Sequence, residues 1–182
     1  MNFAEPISAL FPGASGRIVT ALVRHQRAGG ERLTLAELSA ASSVVVSQLE
    51  TVLFRLGLLG VLAPRARGED VRLVTGHLVW RSLEPLLDPR PALLADLRER
   101  ALRELDPPPP GLTAGGAVAD GTATGPSGTL HLSVVAPGDA PAAWVAALEG
   151  LVARLSTDLG NIVTYSLHTE VDEGPGRVTV LP

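Results

Sequence analysis

Apolar residues recur at helical spacing over Ile18, Val19, Leu22 and Val23, over Leu49, Val52, Leu53 and Leu56, and over Leu93, Leu94, Leu97, Ala101, Leu102 and Leu105. Each set falls on one side of a helix, with polar residues on the other. Ser15 offers an N-cap to the first helix, which runs to about Gln26. A shorter helix is marked by its start: Thr34 and Glu37 have the S/T-x-x-E spacing of a capping box, so it opens at Leu35 and turns Leu35 and Leu38 inward. Ala40, Ala41, Ser42 and Ser43 then make a tight small-residue turn, and the Leu49 helix ends on Gly57 as a left-handed C-cap. Leu58 to Ala63 reads as a strand, Pro64-Arg65-Ala66-Arg67-Gly68 as a turn and Val71 to Val74 as the return strand, with Arg32-Leu33 as a short strand beside them.

Downstream, His77 to Leu87 reads as a helix holding Trp80, Asp88-Pro89-Arg90-Pro91 breaks it, and a further helix covers Ala92 to Leu105. Their apolar surface is broad for a small domain and favours pairing with a second subunit, a homodimer, over a monomer in which they pack back on the first helix. Pro107 to Pro110 form a stiff spacer. Beyond it, Ala117-Val118-Ala119, Thr129 to Val135, Ile162 to Leu167 and Arg177 to Leu181 read as strands, and Pro141 to Asp158 as an amphipathic helix. The expected organisation is α+β: a helical and hairpin domain over 1–105, a Pro/Gly-rich linker over 106–116 and a small α+β domain over 117–182.

The helix, turn, helix and basic hairpin resemble the winged helix-turn-helix of ArsR- and MarR-type bacterial regulators. Ser47, Glu50 and Gly57-Leu58-Leu59 carry the family's S-x-x-L and G-L-L phrase, with a departure at Glu50, where an apolar residue is usual. The resemblance implies a regulator that places the second helix in the major groove of double-stranded DNA. Ser43, Val44, Ser47, Gln48 and Thr51 would then meet base edges, with Gln48 on an adenine and Val44 or Val45 on a thymine methyl. That helix is poor in charge, with Arg55 near its end in the DNA-facing set, so Arg65 and Arg67 would supply the phosphate contacts with help from Arg32, Arg24 or Arg27. The alternative is an adaptor: a winged helix that docks a protein through the apolar Val44-Val45-Val46 run.

The order β-β-α-β behind a winged helix resembles bacterial proteins that fuse such a domain to a minimal nucleotidyltransferase. There a Gly-Ser turn cradles phosphate, and two aspartates on the second strand, joined by a third carboxylate, hold Mg²⁺. Gly121 and Thr122 take the place of the Gly-Ser turn here, and Thr129 and His131 fall on the two aspartate positions. The third strand offers no carboxylate, and Asp120 and Asp139 flank the region without recreating the spacing. The resemblance therefore implies a catalytically inactive domain with no cofactor and no metal. Its remaining role would be dimerisation, ligand sensing or recruitment of a protein partner.

Composition changes this picture in two ways. All fifteen basic residues are Arg and there is no Lys or Cys, which excludes a disulfide framework and a thiolate metal site. No apolar run has the length of a membrane span, so a cytoplasmic, nucleoid-associated protein without membrane contact is expected. Net charge is −4, but residues 1–81 hold nine Arg against six acids and residues 106–182 two against eight. A positive front and an acidic rear suit a DNA-facing first domain.

Overall fold

The computed structural model describes residues 1–138, 140–172 and 174–182. It mixes α and β, and it divides into two units, Glu5–Asp88 and Met1–Ala4 with Pro89–Pro182. Among the described residues, no single helix is long and apolar enough to cross a membrane.

The first unit holds α1 (Pro6–Leu10), α2 (Ala14–Arg27), β1 (Arg32–Leu33), α3 (Leu35–Ser42), α4 (Val46–Leu58), β2 (Val71–Arg72) and α5 (Leu78–Leu83), followed by a 3-10 turn over Glu84–Leu87. Ile18, Leu22, Leu38, Leu49, Leu53, Val61, Leu62 and Trp80 share one core. α2 starts after Gly13, at φ 73, and Ser15 lies inside its first turn instead of capping it. Gly16 explains the close approach of α1: a Cβ there would collide with the Phe11 carbonyl oxygen and the Ser8 Cα. The capping box is present, Thr34 N donating to Glu37 Oε2 at 2.7 Å and Glu37 N to Thr34 Oγ1 at 3.2 Å.

α4 does not stop at Gly57. It runs to Leu58, and the left-handed residue is Gly60, at φ 73. The extra length turns Leu58 and Leu59 outward, and Val61 and Leu62 fill the core in their place. Leu62 bridges Leu73, Ala63 N donates to the Arg72 carbonyl at 2.9 Å and Val74 N to that of Val61 at 3.0 Å, so the hairpin exists with a shorter first arm than expected. β1 pairs antiparallel with β2, Arg32 opposite Arg72 and Leu33 opposite Val71. α5 gives way to the 3-10 turn because Pro85 has no N–H to donate back to Arg81.

The second unit holds α6 (Arg90–Glu104), β3 (Gly111–Gly115), β4 (Thr129–Val135), α7 (Ala142–Leu159), β5 (Ile162–His168) and β6 (Val178–Leu181). Its sheet runs β5-β4-β3-β6, with β4 and β5 parallel and the other neighbours antiparallel. Leu93, Leu97 and Ala101 from α6, Leu105 just beyond its end, and Trp144, Leu148, Leu151 and Leu155 from α7 pack with Leu112, Ala114, Leu130, Leu132 and Val134. Arg100–Asp158 and Arg154–Glu104, both at 2.6 Å, tie the two helices together.

Leu93, Leu97, Ala101 and Leu105 of the stripe expected at a subunit interface are buried inside this unit, whereas Leu102 is 47% exposed. Two expectations are corrected. Part of the expected linker, 106–116, is β3, an inner strand of the sheet. Glycine hid it, because Gly111, Thr113 and Gly115 occupy the face opposite Leu112 and Ala114 and erase the alternation that marks a strand. Ala117-Val118-Ala119 forms turns instead of a strand, closed by the Asp120 N to Gly116 O bond at 3.0 Å.

Candidate functional site

In the first unit, the outward face of α4 and the hairpin enclose a groove of about 890 Å³ lined by Ser47, Thr51, Phe54, Arg55, Leu58, Pro64 and Arg67, among others. A bidentate ion pair forms its floor. Arg65 Nη1 and Nη2 donate to the two oxygens of Glu50 at 2.8 and 3.0 Å, and Gly68 N adds a third bond at 2.9 Å. These side chains are only 11% and 14% exposed. The Arg65 hydrogen bonds, with help from Gly68, hold the Glu50 carboxyl below the usual carboxylate range. The residue that departs from the winged-helix phrase thus clasps the hairpin to α4.

The clasp removes Arg65 from the set of residues open to a phosphate. Arg32 is also paired, its Nη2 lying 2.8 Å from Asp70. Arg55, Arg67 and Arg72 are exposed and carry no ion pair among the described residues. Ser43, Ser47, Gln48 and Thr51 are exposed as expected. Val44 is 2% exposed, because the left-handed turn at Ser43 and the Ser39 Oγ to Val44 O bond, 2.8 Å, direct its side chain into the core. Val45 replaces it on the surface. Sequence reasoning missed the apolar share of this face: Phe54 and Leu58 are 67% and 73% exposed. Their spacing, one turn apart and off the buried stripe, was the available signal.

In the second unit, the first strand and the glycine turn after it lie earlier than the sequence pattern suggests. β3 ends at Gly115 and turns at Gly116, φ 90, so Gly116 follows the first strand, and Gly121 and Thr122 close a later turn. Gly115 is paired with His131, and Thr129 is the exposed first residue of β4. Asp139 lies outside the described residues. A polar cluster covers the sheet face opposite the helices. His131 Nδ1 lies 2.9 Å from Thr164 Oγ1 and its Nε2 3.0 Å from Ser166 Oγ, which lies 2.6 Å from His168 Nε2. Asp172 accepts from Ser133 Oγ at 3.3 Å and pairs with Arg177 Nε at 3.2 Å. Burial first, and then the positive charge of Arg177, push the His131 pKa below its ordinary 6.5. Among the described residues, no group of three or more His, Cys, Asp or Glu side chains is placed to hold a metal ion.

No family model, curated protein or solved structure matches this chain.

Proposed function

We propose that residues 5–88 form a winged helix-turn-helix that binds double-stranded DNA as a transcriptional regulator, and that residues 89–182 form a catalytically silent nucleotidyltransferase-like domain. The observation that carries the first part is the outward set on α4 and the hairpin: Ser47, Gln48 and Thr51 project beside Arg55 and Arg67, which form no direct ion pair among the described residues. Gln48 would read an adenine and Val45 a thymine methyl. Arg55, Arg67 and Arg72 would contact phosphates. The Glu50–Arg65 pair is internally neutralised, so Glu50 does not repel the backbone, and it fixes the hairpin relative to α4. Support for the second part is chemical: Thr129 and His131 stand at the positions that carry aspartates in the resembled family, and neither offers the negative charge that would offset a divalent cation.

Phe54, Leu58 and the exposed Leu59 favour a second reading, a winged helix that docks a protein through the far half of α4. The two readings separate in one experiment. The full chain is incubated with fragmented genomic DNA at two salt concentrations, and bound fragments are sequenced, alongside Arg55→Ala/Arg67→Ala and Phe54→Ser/Leu58→Ser variants. Enrichment of a sequence motif, lost in the arginine variant and kept in the other, is the expected result. No enrichment with any protein sinks the DNA reading and leaves the docking one.

A further inference from the structure

The second unit leaves one sheet edge open. β5 is an outer strand of seven residues, Ile162 to His168, with no charge-bearing Asp, Glu, Lys or Arg, no Pro and no register shift against β4. Natural edges are usually blunted by charges, prolines, bulges or short length. The opposite edge follows that rule: β6 has four residues and pairs with β3 through a register shift.

The direction of the β5 backbone groups can be read from their neighbours. The His168 carbonyl accepts from Ala136 N at 3.2 Å, so the even-numbered residues address β4. Val163 N points the other way and donates to Ser156 Oγ at 3.2 Å. Residues alternate along a strand, so Val163, Tyr165 and Leu167 present their N–H and C=O groups to the outside. Apart from the Val163 N–H, these outward groups have no hydrogen-bond partner among the described residues.

We infer that this edge pairs with the β5 of a second copy of the chain, antiparallel and centred on Tyr165. The strand is self-complementary about that residue. Tyr165 faces Tyr165, Val163 faces Leu167, Thr164 faces Ser166 and Ile162 faces His168, so apolar meets apolar on the helix side, and on the other hydroxyl meets hydroxyl with Ile162 against the His168 ring at each end. Directly opposed residues share a face in an antiparallel pair, and no acidic or Lys/Arg side chain opposes its like. Tyr165 N–H groups bond the opposite Tyr165 carbonyls, Leu167 N–H groups bond the Val163 carbonyls, and the Leu167 carbonyls displace Ser156 Oγ from the Val163 N–H. Leu167 and Ile162, 43% and 52% exposed, come under cover. The axis closes the assembly at two chains, as an isologous contact does. A second chain in this place does not depend on the DNA reading.

Light scattering of the full chain over a concentration series tests this, with hydrogen exchange at the two ends of the series. An interface built on one strand pair should dissociate at the weak, micromolar end of the range. The expected result is a monomer–dimer equilibrium in which the Tyr165 and Leu167 amides become protected as concentration rises. Tyr165→Pro removes an outward N–H that the sheet does not use, and should leave a folded monomer by circular dichroism. Thr164→Lys sets a charge into the seam and should also shift the equilibrium to monomer, which guards against Tyr165→Pro failing to fold. A monomer at every concentration, a dimer that persists in a folded variant, or open-ended assembly overturns the inference.

Discussion

Arg65 and Glu50 decide how the hairpin meets α4, and the cost of breaking them follows from their burial. Exposed pairs contribute about 0–1 kcal/mol and fully buried ones leave a penalty of about 3–5 kcal/mol when one partner is lost. At 11% and 14% exposure this pair lies between, so Arg65→Ala should lower the stability of the first unit by about 2 kcal/mol, read from the midpoint of urea unfolding. Glu50→Gln should cost less, because the amide keeps one acceptor for Arg65. The sign of the pH effect is fixed by the carboxylate: with its folded pKa lowered from 4.5, the contribution is present above pH 4.5 and fades as pH falls through the folded value. His131 behaves differently. Its folded pKa lies below 6.5, so the unfolded chain takes up a proton first and stability falls as pH drops from about 6.5 toward the folded value. His131→Gln should flatten that part of the profile in a pH series of thermal unfolding, while the Ser166–His168 contact remains.

At the scale of elements, local chemistry sets where helices begin more firmly than where they end. The Thr34–Glu37 box was legible because it needs only residues three apart, and Thr34→Ala should cost about 1 kcal/mol of first-unit stability, measured by denaturant unfolding. Gly57 and Gly60 were indistinguishable as caps, since both follow an apolar stripe. The core chose Gly60 because carrying α4 past Gly57 to Leu58 lets Val61 and Leu62 be buried. Gly116 is a stricter case. At φ 90, with the Thr129 carbonyl oxygen 2.7 Å from where a Cβ would sit, it accepts no side chain without strain. Gly116→Ala should therefore destabilise the second unit by about 1–3 kcal/mol, seen as a lower midpoint in thermal unfolding of the full chain.

At the scale of the whole molecule, charge follows the units and not the linker. Residues 5–88 carry nine Arg and eight acids, net +1, and the remaining residues six Arg and eleven acids, net −5. The first unit is thus less positive than a division at residue 81 suggests, because Glu84 and Asp88 belong to it. DNA affinity built on Arg55, Arg67 and Arg72 should fall with salt at a logarithmic slope of about −3 for one chain and about −5 for a pair. Filter binding over a salt series reads this directly, and a slope near zero removes these cations from the interface.

The sequence by itself determined the helices, the capping box, the hairpin beside Arg32-Leu33 and the β-α-β run from Thr129, because each is written in residues a few positions apart. It also named the outward residues Ser47, Gln48, Thr51, Arg55 and Arg67. Tertiary structure decided what the pattern leaves open. It took Val44 inside, spent Arg65 on Glu50, assigned α6 to the second unit, raised a glycine-masked strand inside the expected linker and joined His131 to Ser166 and His168. Each of these depends on a partner distant in the chain, and burial and pairing between distant residues leave no periodic mark on either one alone.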